Sequence, residues 1–366
     1  MANTKLPMHV LQFAGENNTV YDSFRDYFLT YMGEVEGKDW GSYDKTLTFA
    51  EKDARMHKKL MSEINRVSGQ TISEGMTVEQ FSTNPMVKWA TFAVTNMMID
   101  AIIPDTIIKS IGIYTDIKTV GMGGVAQFDI KPNSLYTVSE GSNARRTTFK
   151  TKDFKTSKSL VPVNHTITVE VSLYKVLAGE ESLAEYVRKA VISMEQEMSV
   201  DAYGALTSLV TNANFPSALK KTGFSVANVL DVCQTVSAYN RSKAVIMGTT
   251  KALSNVLPDS AKGYRINTPS EAMSIQLIKN FYEYDILAIP QIATGKSDYS
   301  LALDDTKLYI VSPSTDKLVK GVIEGSTLSY ERVAQDNANL TSTQTLNKRY
   351  VFEAVSNSKM GIITLS

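Results

Sequence analysis

The spacing of apolar and polar positions changes along the chain, and each change predicts a change of element. Met1 to Tyr43 is polar and punctuated by glycine, so residues 1–112 read as an arm and not as a domain. Thr48 with Glu51 three positions later is a capping box that opens a helix, with Ala50, Ala54, Met61 and Ile64 as its apolar stripe. Lys52, Arg55, Lys58, Lys59 and Arg66 crowd that stripe, so the helix is expected to bury one edge only, against something outside its own segment. Asn84-Pro85 starts a second helix, cap and then proline in the first turn, which runs through Trp89, Ala93, Met97 and Ala101 to a stop at Pro104.

From Val125 the period becomes two. Ala126, Phe128 and Ile130 alternate with Gln127, Asp129 and Lys131, the pattern of a half-buried strand. In the answering strand Val163, His165, Ile167, Val169, Val171 and Leu173 face one way and Asn164, Thr166, Thr168, Glu170 and Ser172 the other. Lys131 to Val161, between them, is polar apart from residues such as Phe149 and Phe154. It is too long for a hairpin turn, and an extended projecting ribbon or a disordered segment are the two readings it allows.

A long helical period follows. Glu180 to Leu209 places Leu183, Val187, Val191, Met194 and Met198 on one face, with acids in the first turn where the helix dipole favours them. Thirty residues at about 1.5 Å each make a rod of roughly 45 Å. Beyond Gly223 helices and strands alternate at short range. Ser225 caps a helix with Val226, Val229, Cys233 and Val236 on one face, Ala244 to Met247 is a buried strand, and Thr250 to Leu257 is a short helix ended by Pro258. Ser270 to Phe281 reads as a helix, Tyr284 to Ile289 as a strand, and Gly295 to Asp305 as an exposed loop tip. Lys307 to Val311, Leu318 to Ile323, Tyr350 to Val355 and Gly361 to Leu365 close the chain as strands, giving an α+β fold class.

Composition narrows the function. Of 366 residues 43% are hydrophobic and 21% charged, enough apolar material for one large or two smaller cores. Lys plus Arg and Asp plus Glu both total 38, so no net basic field draws the molecule onto nucleic acid. The single cysteine, Cys233, excludes an internal disulfide, which fits folding in a reducing cytoplasm. No stretch in the sequence reads as an export signal or as a bilayer span of about 20 apolar residues, so no membrane partner is expected.

Candidate chemistry is sparse. His9, His57 and His165 lie far apart, without the Cys or acidic spacing of a metal site, so no metal is expected. His165, on the apolar side of its strand, reads as an interior or interface histidine, and Cys233, on a buried stripe, as a small hydrophobe. Gly121-Met122-Gly123-Gly124-Val125-Ala126 matches a dinucleotide fingerprint, but the residues after it alternate as a strand where the fingerprint needs a helix. It therefore reads as a strand-to-strand turn, and no cofactor is expected.

The charge runs say more. Arg145, Arg146, Lys150, Lys152, Lys155 and Lys158 stand against one acid, Asp153, while the long helix carries Glu180, Glu181, Glu185, Glu195, Glu197 and Asp201 against Arg188 and Lys189. Two solvated faces, a nucleic-acid patch, and complementary pairing between copies of the chain all fit such runs.

The order of these segments, from the helical arm to the returning terminal strands, resembles the major capsid proteins of tailed bacteriophages, the Hong Kong 97-type fold also used by encapsulin shells. The likeness covers roughly Asn84 to Ser366. It rests on the alternating Val163 to Leu173 entering the helix at Glu180, on Ala244-Val-Ile-Met-Gly-Thr-Thr, on Lys307-Leu-Tyr-Ile-Val followed by Val322-Ile-Glu-Gly, and on Tyr350-Val-Phe-Glu-Ala-Val with Met360-Gly-Ile-Ile-Thr-Leu.

The resemblance implies an extended-loop β-hairpin at 113–175, a spine helix of a peripheral domain at 176–222, an axial domain at 223–345 and terminal strands at 346–366. It also implies a non-enzymatic protein that assembles as hexamers and pentamers into an icosahedral shell, built in the bacterial host cytoplasm, around double-stranded DNA bound without sequence specificity. Portal, scaffolding and decoration proteins are the further partners it allows. The residues expected at contacts between subunits are the six basic positions from Arg145 to Lys158 together with Glu180, Glu181, Glu185, Glu195 and Glu197. Some relatives seal their shells with a Lys–Asn isopeptide bond, for which Lys150, Lys152 and Asn357 are the residues to consider, although no catalytic acid aligns. An encapsulin-like compartment and an α/β enzyme centred after Gly223 are the rival readings.

Overall fold

The computed structural model describes residues 18–38, 40–71, 84–130, 136, 138, 154–171, 182–212, 215–256, 280–293, 299–313, 316–332 and 342–365. Four long helices come first or cross the middle of the chain: α1 (Asn18–Glu34), α2 (Phe49–Ser68), α3 (Pro85–Ile111) and α4 (Leu183–Thr211). Between α3 and α4 lie β1 (Thr115–Val120), β2 (Ala126–Ile130), β3 (Thr156–Leu160) and β4 (Val163–Val171). After α4 follow β5 (Lys220–Thr222), α5 (Val226–Asn240), β6 (Val245–Thr249), α6 (Thr250–Leu253), β7 (Asn280–Phe281), β8 (Tyr284–Ile289), β9 (Lys307–Val311), β10 (Val319–Glu324), β11 (Leu328–Arg332), β12 (Ser342–Ala354) and β13 (Gly361–Thr364).

The strands form two mixed sheets and a ribbon. One sheet runs β1-β10-β12-β11, with β4 paired antiparallel along β12 from Ser342↔Val171 to Tyr350↔Val163. The other runs β5-β13-β9-β6-β8-β7, and β2 pairs with β3 alone. Because side chains alternate across a strand, β9 sends Tyr309 and Val311 into the core shared with the long helices, and Leu308 and Ile310 into a second core under α5 and α6. Neighbouring strands divide likewise, Met247 and Ile362 to the first core and Ile246 and Ile363 to the second. The six-stranded sheet is thus covered on both faces.

Capping residues act where the pattern placed them. Thr48 and Glu51 form both halves of the capping box, Asn84 accepts the Met86 and Val87 N–H groups, and Ser225 accepts that of Asn228. The long helix begins at Leu183, not at the expected Glu180, because Ser182 caps it by accepting the Glu185 N–H. Of the acids expected in its first turn Glu185 is the one there, and the helix buries Leu183, Val187, Val191, Met194 and Met198.

Several expectations are corrected. The N-terminal residues contain α1, whose Phe24, Tyr27, Phe28 and Met32 are buried in the main core, so the described N-terminal helices belong to the body. In α2 the buried stripe is Lys52, Met56, Leu60 and Ile64, while Ala50 and Ala54 are exposed. The stripe is displaced because Lys52 points inward to donate to Thr30 at 2.8 Å and to pair with Asp26 at 2.6 Å.

Helix α3 runs through Pro104 to Ile111, and its inward face is Val87, Ala90, Val94, Met98 and Ala101, with Trp89 largely exposed. Proline cannot supply the amide that the carbonyl four residues earlier expects, but burial of Ile103, Pro104, Thr106, Ile107 and Ile111 outweighs that loss. By length and composition α3 would also cross a membrane, contrary to the expectation of no such stretch, yet two-thirds of its most apolar window is buried inside the protein. That is the packing of a core helix.

Finally, the border at residue 345 falls inside β12, and the chain passes between the sheets, from β9 to β10 and from β12 to β13. The helix expected at Ser270–Phe281 lies outside the described residues except for Asn280 and Phe281, which are β7. Most of the ribbon between Lys131 and Val161 lies outside them too.

Candidate assembly surface

The surface is built on the base of the ribbon. β2 alternates as its sequence does, with Ala126, Phe128 and Ile130 buried and Gln127 and Asp129 exposed. Ala126, Phe128 and Leu160 pack on Val322 of β10, flanked by Val120 and Val351, so the ribbon base lies on the five-stranded sheet. The side chains that face away from Val322 on the same strand, Val319 and Ile323, go to the main core. Polar contacts pin the base: Lys158 pairs with Glu353 of β12 at 2.7 Å, and the Lys118 ammonium sits 4.4 Å from the centre of the Phe128 ring. The last pair of the ladder is Ile130↔Thr156, which holds side by side the two ends of the stretch carrying the basic run. Phe154 and Lys155, just beyond that pair, are exposed, as are Tyr136 and Val138.

Arg145, Arg146, Lys150 and Lys152 lie outside the described residues, as do Glu180 and Glu181. The remaining charges fall into different settings. Lys158 is engaged within its own chain, whereas Lys155 stands exposed. On α4, Glu185 bonds Lys189 at 2.7 Å and lies 3.5 Å from Arg188. The Lys189 hydrogen bond is the main cause that holds the Glu185 carboxyl below the usual carboxylate range. Glu195 is buried and accepts from Ser199 at 3.3 Å, so it is no part of the outer acidic face. Glu197 is exposed and lines an open groove of about 480 Å³ between β4 and α4, with His165, Ile167, Met194, Lys348 and Tyr350 among the walls.

Sequence reading passed over Lys348 and Tyr350. They lie two apart on a strand, and only the β4–β12 register places them beside His165. His165 stacks on Tyr350 with ring centres 3.8 Å apart and planes 13° apart. At the turn between β1 and β2, Gly123 takes φ +70° and the Gly124 N–H donates to the Gly121 carbonyl at 2.9 Å, after which a strand begins. The glycines therefore serve a turn. Met122 and Val125 in it, and Val161 at the corner from β3 to β4, are exposed apolar residues that the sequence reading did not single out. Cys233 lies on the buried face of α5 and burial pushes its thiol up to about 12, which keeps it protonated at neutral pH. Among the described residues no group of three or more His, Cys, Asp or Glu side chains is placed to hold a metal ion.

The family model described as "SPbeta prophage-derived putative capsid protein YonB" matches residues 42–364. The chain belongs to this family. The match spans α2 to β13 and leaves out only α1 among the described elements. No curated protein sequence matches the chain. Solved structures similar to it include a phage-related protein from Bordetella bronchiseptica RB50, 14% identical, covering 73% of this chain and 96% of that one with a TM-score of 0.48. The mature capsid of bacteriophage PhiM1 is 12% identical, with 69% and 86% covered and a TM-score of 0.45. A virus-like particle from Pyrococcus furiosus is 9% identical, with 72% and 97% covered and a TM-score of 0.43.

Proposed function

We propose that this chain is a major capsid protein of the Hong Kong 97-type, many copies of which associate as hexamers and pentamers into an icosahedral shell around double-stranded DNA. The observation that carries this reading is the family match over residues 42–364. The paired base supports it: the sequence between Ile130 and Thr156 is basic, its two ends lie side by side in the β2–β3 ladder, and that ladder is fixed by an apolar cluster and an ion pair. In this reading the basic segment acts as a strap, whose natural target is a surface of opposite charge on another copy. The acid exposed on α4 for this is Glu197, with Glu180 and Glu181 outside the described residues, while Glu185 is engaged by Lys189 and Arg188 and Glu195 is excluded by its burial. The basic side of the pair is Arg145, Arg146, Lys150, Lys152 and Lys155, since Lys158 is held by Glu353.

Net neutrality fits a coat that encloses DNA without condensing it, leaving compaction to a packaging motor and counterions. A stable interface buries about 1,200–2,000 Å², and a ribbon laid over a rod of about 43 Å supplies contact on that scale. Joint reversal of Arg145→Glu and Arg146→Glu is the test. The expected result is a folded, soluble subunit that sediments without forming shells. Shell assembly by the double variant at wild-type yield would remove the electrostatic strap from the reading.

A further inference from the structure

A histidine ties the N-terminal helices to the head of α4. His57, half-buried on α2, accepts the Leu183 N–H on Nδ1 at 3.2 Å. That amide is one of those in a first helical turn that have no partner within the helix. Beside it, Ser182 caps α4 by accepting the Glu185 N–H at 3.4 Å, and its hydroxyl donates to Asp53 of α2 at 3.3 Å. Two neighbouring bonds from α2 therefore close on the start of the longest described helix.

An accepting Nδ1 carries no proton, so the neutral ring holds its hydrogen on Nε2. Protonation turns the acceptor into a donor. Two N–H groups then face each other, and a positive charge sits at the positive end of the α4 dipole. Asp53, on α2 itself, favours the charged ring, but burial is the larger influence and lowers the His57 pKa from its ordinary 6.5. From α4 the charged groups nearby are Glu185, already engaged by Lys189 and Arg188, and Arg188 itself. From α1 the Tyr27 and Tyr31 rings face Arg188, at 5.8 and 4.0 Å.

We infer that the His57–Leu183 hydrogen bond is an acid-released latch, which holds α2 on the head of α4 at neutral pH and opens when the imidazole takes up a proton. The inference does not depend on shell formation. In the unfolded chain His57 has its ordinary pKa, and in the folded chain a lower one, so the unfolded chain binds the proton first. The latch contribution is complete above pH 6.5 and is lost as pH falls below that value toward the folded pKa.

Hydrogen exchange on the whole chain between about pH 7.5 and about pH 5 tests this, read at the Leu183 amide and along α2, corrected for intrinsic exchange, in wild type and His57→Asn. The asparagine oxygen stands where Nδ1 does and accepts the same N–H without titrating. Wild type is expected to lose protection by up to about tenfold per pH unit below the ordinary histidine pKa, and the variant to show no such step. An equal step in both proteins, or none in wild type, overturns the latch. Should the variant fail to fold, imidazole nitrogen shifts of the wild type decide: the Nε2–H tautomer at neutral pH is required, and an Nδ1–H tautomer overturns it.

Discussion

Asp100→Ala is expected to cost about 3–5 kcal/mol of stability, the usual loss when one partner of a buried ion pair is removed. Asp100 on α3 and Lys348 on β12 are 3% and 1% exposed, and their charged groups are in direct contact. The same carboxylate accepts the Thr327 N–H at 3.0 Å and the Thr327 hydroxyl, so it joins the helix to the turn before β11 as well as to β12. Alanine leaves a buried ammonium without its counter-ion and a buried amide without its acceptor. Urea unfolding reads the loss as a shifted midpoint at unchanged slope. Replacing both residues together, Asp100→Leu with Lys348→Met, is expected to recover the part of the loss that comes from the unpaired ammonium, because an apolar pair of similar volume escapes the charge desolvation penalty, while the Thr327 N–H still lacks its acceptor. A loss under about 1 kcal/mol for the single variant would mean that water enters this contact.

Phe24→Ala is expected to cost a similar amount, about 3–5 kcal/mol. Phe24 is fully buried, in the same core as α3 and α4. Its ring lies 5.9 Å from that of Tyr27, which in turn stacks on Phe49 of α2 at 5.2 Å, and Arg188 of α4 covers the neighbouring Tyr31 ring at 4.0 Å. Were the N-terminal helix a detachable arm, the same substitution would leave the unfolding midpoint of the body almost unchanged. The two outcomes differ by more than the error of the extrapolation.

That helix was legible and was passed over. Val20, Phe24, Tyr27, Phe28 and Met32 repeat at helical spacing, but the glycines and polar residues of the first 43 positions, judged together, hid the stripe. Elements whose burial is local and one-sided were readable: β2 from its alternation, α4 from its apolar stripe, and the helix starts at Thr48, Asn84 and Ser225 from their caps. Elements fixed by distant partners were not. Lys52 reads as solvent-facing until Asp26 and Thr30 are placed beside it, and Pro104 reads as a stop until the packing around it is seen. β11 and the first half of β12 lack a clear apolar alternation, and pairing of β11 with β12 and of β12 with β4 makes them strands where the local pattern does not show it.

The surface divides in the same way. The opposite charge runs were visible as composition, but which charges remain free to meet another copy is a matter of tertiary structure. Glu195 is turned inward and Lys158 is taken by Glu353, neither of which spacing along the chain can reveal. The groove beside Glu197 joins residues more than 180 positions apart, such as His165 and Tyr350, and has no sequence signature.

Negative-stain electron microscopy of the purified chain, at rising protein concentration, puts the shell-forming reading to its most direct test. Closed, hollow particles of uniform diameter are the predicted result. A preparation that stays as isolated, well-folded subunits at every concentration, with and without the other proteins of its assembly, would contradict it.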